Sequence, residues 1–185
     1  VSAIYIPFFI WSHTGIAAVF KGLLTYSKEW AIDAAVFQCL YSFLGLFFSH
    51  SNFNFFLLTK FFLGFCYLII LIIIVRKNEN SDIGLLNKIF WSLAWLFLLS
   101  PVGNPWYFCW LIPFLCFFPY RSFILLSGLL IFNYLSFTHN IGGLSLGNFS
   151  ISYVTLLQYI VFFPLLIRET ILRPLKEAEV NVLRT

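Results

Sequence analysis

Charge is scarce in this sequence. Only 10% of its 185 residues are Asp, Glu, Lys or Arg, while 61% are hydrophobic. A soluble globular domain carries about 25% charged residues. So few charges cannot coat a water-facing surface, and the composition is that of an integral membrane protein. Carboxylates are scarcer still, and Asp33 and Asp82 are the only aspartates. Methionine is absent and Val1 stands first, so the chain is expected to be a fragment whose N-terminus was lost or never included. No basic stretch precedes the first apolar run, and no signal peptide is expected within these residues. Cys39, Cys66, Cys109 and Cys116 all sit in apolar runs with no C-x-x-C spacing, which reads as small hydrophobes rather than a redox or metal pair. His13, His50 and His139 lack the i,i+4 spacing of a helical metal pair, so no metal and no cofactor is expected. The net charge of +4 is spread unevenly and gives no nucleic-acid signature.

What the sequence has is long apolar runs. A spanning helix needs about 20 apolar residues. "FFLLTKFFLGFCYLIILIIIV", residues 55–75, is the clearest span, and it ends at Arg76 and Lys77. Residues 122–137 and 151–167 are further spans, and 30–48 is a candidate with Asp33 near its start. Within the 55–75 run, Lys60 is expected to snorkel toward the interface.

The run 88–120 is different. As one helix it would be roughly 50 Å long, too long for a hydrocarbon core of about 30 Å. Near its middle stand Pro101, Gly103 and Pro105. Proline removes helical hydrogen bonds and glycine favours a turn. Two antiparallel helices are therefore expected, over 88–101 and 105–120, with a tight loop between them at a membrane face.

Basic residues orient the chain. Arg76, Lys77 and Lys88 flank one loop, Arg121 follows Tyr120, and Arg168, Arg173, Lys176 and Arg184 lie in the tail. The loops 49–54, 102–105 and 139–150 carry no Lys or Arg. The positive-inside rule makes the basic set cytoplasmic and the Gly-Asn-Pro turn extracytoplasmic. The first 50 residues stay open on this criterion. Lys21 and Lys28 place 21–29 inside if 30–48 crosses the membrane; otherwise 1–50 lies along the outer interface. The expected fold is thus all-α: a polytopic transmembrane helix bundle of about five to six membrane helices, some short or re-entrant, ending in a cytoplasmic tail over 169–185.

The break itself carries a pattern. "SPVGNPWYFCWLIPF", residues 100–114, resembles the S-P-x-x-H-P-W-Y-x-x-W-x-x-P pattern of GT-C type polytopic glycosyltransferases, which include polyprenyl-phosphate-mannose-dependent mannosyltransferases. Ser100, Pro101, Pro105, Trp106, Tyr107, Trp110 and Pro113 fit, while Asn104 stands where His is usual. Upstream, Pro7, Phe8, Gly22, Leu23, Tyr26 and Trp30 fit that family's P-F … G-L-x-x-Y-x-x-x-W-x-F-N stretch, with Asp33 in place of Asn. The resemblance spans residues 7 to about 165. It implies the C-terminal half of such an enzyme, with an extracytoplasmic active face and residues 30–48 interfacial or re-entrant. The family's general-base Asp, on the first extracytoplasmic loop, has no counterpart here.

Such an enzyme moves a hexose, mannose in the nearest case, from a polyprenyl-phosphate-sugar donor to a glycan or glycolipid acceptor at the surface of the membrane lipid. The acceptor hydroxyl needs a base, and the leaving phosphate needs donors or cations. The resemblance makes Asn104, Trp106, Tyr107, Trp30, Lys28 and Asp33 the candidate substrate-binding residues. Asn104 and Tyr107 would donate hydrogen bonds to phosphate, Trp106 would pack on a sugar ring or an isoprenyl chain, and Lys21 and Lys28 would face phosphate. No catalytic residue is assigned. The residues taken alone leave other readings standing. Trp106 and Tyr107 fit an interfacial aromatic belt, Lys28 a solvated basic flank and Asp33 a helix cap. A transporter or lipid flippase with proline-broken helices, or a membrane scaffold without catalysis, also fits the broken run.

Overall fold

The computed structural model describes residues 21, 25, 31, 34–48, 55–78, 81–134, 142–146 and 149–172. The chain divides into two units, residues 1–31 and 32–185. In the first, Lys21 and Thr25 are helical and exposed. The remainder of the description concerns the second.

Its first helix, α1, runs Ala35–Phe48; α2 follows over Phe55–Arg76 and α3 over Asp82–Leu99. Helices α2 and α3 are long and apolar enough to cross a membrane. At 1.5 Å per residue they measure about 33 and 27 Å, against a hydrocarbon core of about 30 Å. Of the 22 residues of α2, Thr59 and Leu63 are buried. Phe61 at 71% and Ile73 at 65% exposure show how much apolar surface the rest presents. A helix apolar on every face is one built for lipid. Its hydroxyl is satisfied locally, because Thr59 Oγ1 donates to the Phe55 carbonyl at 2.7 Å.

Helix α3 begins six residues ahead of the expected 88. Ser81 caps it, its Oγ accepting from Gly84 N at 3.1 Å, and Asp82 complements the positive end of the helix dipole. It stops at Ser100, whose ψ of 139° is the extended conformation forced on a residue before proline.

Beyond the break, the expected helix 105–120 is replaced by two single turns, α4 (Pro105–Phe108) and α5 (Ile112–Leu115). Many of the bonds here are of i→i+3 type: Trp110 N to Tyr107 O at 3.3 Å, Leu111 N to Phe108 O at 2.9 Å, Phe117 N to Phe114 O at 3.0 Å. The reason is Pro113, which has no N–H to offer the Cys109 carbonyl four residues back. The antiparallel return survives this irregularity. Phe97 packs edge-on against Phe108 at 5.3 Å, while Phe90 stacks on Tyr120 at 5.1 Å.

Helix α6 (Arg121–Leu129) continues as a 3-10 turn over Leu130–Phe132. A two-stranded antiparallel hairpin follows, β1 (Gly143–Leu146) and β2 (Phe149–Ser152), with Gly143 opposite Ser152 and Leu146 opposite Phe149. Helix α7 (Tyr153–Ile167) leaves it directly and ends in a π-helical turn, Arg168–Leu172. The hairpin is an addition to the all-helical expectation. The described chain is otherwise mostly helical, with non-helical links such as 100–104 and 116–120. Two of the expected spans have full length, while α1 and α6 are shorter apolar helices.

The core is aromatic. Phe123 meets Phe90 and Phe162 edge-to-face, each at 5.2 Å, and so joins α3, α6 and α7. For helices that pack within lipid, the hydrophobic effect gives little net drive, and van der Waals packing and polar contacts take over. Each such ring pair contributes about 0.5–1.5 kcal/mol.

Polar contacts then fix the ends. At one end Lys88 Nζ reaches the carbonyls of Val75, at 3.4 Å, and Lys77, closing the α2–α3 hairpin. The Glu169 carboxylate accepts from Arg121 N at 2.8 Å, Ser122 N at 3.0 Å and Ser122 Oγ at 2.7 Å. It caps α6 from a residue 48 positions away, where Tyr120, the local cap residue, offers no side-chain bond. Arg76, Lys77, Lys88, Arg121 and Arg168 all gather at this basic end.

Candidate functional site

The opposite end carries the broken motif. Ser100 starts the turn, its Oγ accepting from Val102 N at 3.1 Å. The Asn104 carbonyl accepts from Tyr107 N at 3.1 Å, and Pro105 opens α4 at a position where a missing N–H costs nothing. These local choices fold the chain back over α3, and Val102, Gly103 and Asn104 are buried.

Asn104 is only 2% exposed, and its side-chain oxygen Oδ1 has no hydrogen-bond partner. An unsatisfied buried carbonyl costs about 1–3 kcal/mol. Beside it the surface is aromatic and open. Trp106 and Trp110 are 49% and 54% exposed. Tyr107 is half-buried with its ring 6.1 Å from Trp106 and 5.3 Å from Trp110. The three rings form one aromatic cluster, tilted to one another by 56° and 57°.

The sequence reading has the Asn104 amide donating to phosphate. Its Oδ1, buried and without a partner, is in addition an acceptor that a hydroxyl satisfies.

Helix α1 belongs to the same end. Phe37 and Tyr41 both lie against Phe56, the second residue of α2, at 5.2 and 5.9 Å. At 14 residues, α1 is about 21 Å long and packs along β2. Lys28, Trp30 and Asp33 lie outside the described residues. Lys21, in the first unit, is exposed.

A second polar group was missed by the sequence reading. Asn133, at the end of the α6 segment, and Gln158, on α7, are 0% and 1% exposed. Gln158 Nε2 donates to Leu129 O at 2.9 Å and to Asn133 Oδ1. Asn133 Nδ2 and Gln158 Oε1 stay unpartnered. The pair stands eleven residues along each helix from Ser122 and Glu169, three turns away and therefore on the same face. Polar contacts thus clamp α6 to α7 at both ends, with Leu126, Tyr159 and Phe162 packed between. The available signal was a carboxamide inside each of two apolar runs.

Among the described residues no three His, Cys, Asp or Glu side chains come together. The described carboxylates, Asp82 and Glu169, both sit at the basic end. No protein-family profile, curated protein or solved structure matches this chain.

Proposed function

We propose that this chain is part of an integral membrane glycosyltransferase of the GT-C type. It is multi-pass, with the basic end cytoplasmic and the 100–107 turn extracytoplasmic. It takes a hexose, in the nearest case mannose, from a polyprenyl-phosphate donor to a glycan or glycolipid acceptor. One observation carries the reading: a buried, unpartnered acceptor on Asn104 stands beside exposed Trp106 at the end opposite the gathered cations. A mechanical turn dressed with interfacial aromatics has no use for the buried acceptor. A sugar site does, because the carbonyl becomes satisfied when a hydroxyl docks.

The division of labour follows from chemistry. Trp106 and Trp110 hold the apolar face of the donor. Asn104 Oδ1 accepts from a sugar hydroxyl and orients the ring. The base that deprotonates the acceptor hydroxyl is supplied from outside the described residues, since Asp82 and Glu169 lie at the wrong end.

The test uses donor-dependent sugar transfer by the full-length protein that carries this chain. Asn104→Ala removes a group whose burial is unfavourable without ligand, so thermal stability should hold or rise. Transfer should fall about 10-fold or more, the value of a hydrogen bond to a site built around it. Tyr107→Phe should also lower transfer at normal expression. Full activity in both Asn104→Ala and Tyr107→Phe removes the donor-site reading of this turn.

A further inference from the structure

The carboxamides of Asn133 and Gln158 meet where α6 changes its winding. Asn133 N donates to the carbonyls of Leu130 and Ile131, three and two residues back, as the 3-10 turn over Leu130–Phe132 requires. In a continuous α-helix it would donate to Leu129 O. That place is taken by Gln158 Nε2 of α7, which donates to Leu129 O at 2.9 Å. Gln158 Nε2 also donates to Asn133 Oδ1, so both protons of its nitrogen are engaged.

These bonds fix which way each amide points. Leu129 O needs a donor, so the nitrogen of Gln158 faces α6, and Asn133 must meet that nitrogen with its oxygen. Two atoms are left over, Asn133 Nδ2 and Gln158 Oε1, with no partner among the described residues. One is a donor and the other an acceptor, and they belong to side chains already joined by a hydrogen bond. A face-to-face carboxamide pair would join the two directly, and that second bond is not formed. Solvent does not satisfy them either, because Asn133 and Gln158 are both buried, as are Leu130, Thr155, Tyr159 and Phe162 around them on the same two helices.

We infer that the Asn133–Gln158 pair binds one neutral hydroxyl group, which accepts from Asn133 Nδ2 and donates to Gln158 Oε1. A hydroxyl carries one donor proton and two acceptor lone pairs, so a single oxygen satisfies both atoms. A ketone or ether oxygen brings no proton, and an ammonium accepts nothing. An anion is the wrong guest. Arg121, Arg168 and Glu169 lie ten to twelve residues along the same two helices, about 15–18 Å away. A charge buried without a partner costs far more than one missing hydrogen bond. The inference is independent of the sugar-transfer reading, because it involves no residue of the 100–107 turn. Two carriers offer this chemistry: a water molecule, and the alcohol of a lipid that enters between α6 and α7. Buried waters fill this role in many proteins, linking polar groups that packing leaves unpaired.

The experiment is cryo-electron microscopy of the purified full-length protein that carries this chain, in phosphatidylcholine nanodiscs and at a resolution that shows ordered water. Native mass spectrometry of the same sample accompanies it. The expected result is a density peak within about 3.2 Å of both Asn133 Nδ2 and Gln158 Oε1. A compact peak with no retained adduct assigns the hydroxyl to water. An elongated peak with an adduct of fixed mass assigns it to a lipid alcohol. Either result supports the inference, and the pair of readouts tells the carriers apart. Gln158→Met keeps the length of the side chain and removes the amide, so the peak should be lost while α6 and α7 stay in place. Should that variant fail to fold, the wild-type map decides alone. A wild-type map that shows waters elsewhere in the bundle and no peak here overturns the inference. So does a peak that persists unchanged in Gln158→Met, or a direct bond between Asn133 Nδ2 and Gln158 Oε1.

Discussion

Removing the Glu169 carboxylate should loosen the α6–α7 pair more than any other single change at the basic end. Three donors converge on it: Arg121 N, Ser122 N and Ser122 Oγ, all within 3.0 Å. Loss of a helix cap costs about 0.5–2 kcal/mol. Loss of a negative charge at a helix N-terminus adds about 0.3–1 kcal/mol. These bonds also tie two segments together, so the released N–H groups have no local substitute. Glu169→Ala is therefore expected to cost about 2–3 kcal/mol. For a chain of this size that is a fall in Tm of about 4–12 °C. Glu169→Gln keeps one acceptor and loses the charge, and should cost about 1 kcal/mol. The assay is thermal unfolding in detergent micelles, with Arg168→Ala as the neighbouring control. Pairing Glu169→Ala with Ser122→Ala should give a coupling of about 1 kcal/mol. If Glu169→Ala matches the Arg168→Ala control within about 0.5 kcal/mol, the carboxylate is not a cap and the clamp argument fails.

Two further outcomes are expected. A Cβ at Gly143 would meet the Ile151 carbonyl oxygen at 2.5 Å, a backbone atom that cannot swing aside, whereas one at Gly128 meets nothing within 4 Å. Gly143→Ala should destabilise by about 1–3 kcal/mol, while Gly128→Ala should stabilise by about 0.5–1 kcal/mol; equal Tm values for the two would refute the hairpin packing. For orientation, a membrane-impermeant thiol reagent on intact cells should label Trp106→Cys and spare Lys77→Cys in a background lacking the four native cysteines, and the reverse pattern would invert the topology. Trp106 is the right reporter because Asn104, though in the same turn, is buried.

How much of this was legible beforehand differs by element. The 55–75 run was readable as a span because twenty-one residues with one charge leave no other stable home. The break at 101–105 was readable because two prolines and a glycine forbid a continuous helix. The irregular return after it was half-readable: Pro113 was visible, but the extent of i→i+3 winding depends on how Phe108 and Leu111 are drawn into the core. The hairpin left a signal that was passed over, the alternation L-S-L and F-S-I on either side of Gly147-Asn148. At the turn, the prolines that break the helix were legible in the sequence, while the burial of Asn104 was not.

By itself the sequence determined two runs long and apolar enough to cross a membrane, the position of the break and the end at which cations collect. Each is a local property: run length, missing N–H groups, charge per loop. The tertiary structure alone decided which polar atoms meet. Nothing local tells Glu169 to cap a helix 48 residues upstream, or Gln158 to choose Asn133. A carboxamide or carboxylate in an apolar setting pairs with whatever donor packing brings within 3 Å, because the cost of leaving it unpaired far exceeds any local preference. The same packing left Asn104 Oδ1 buried and open.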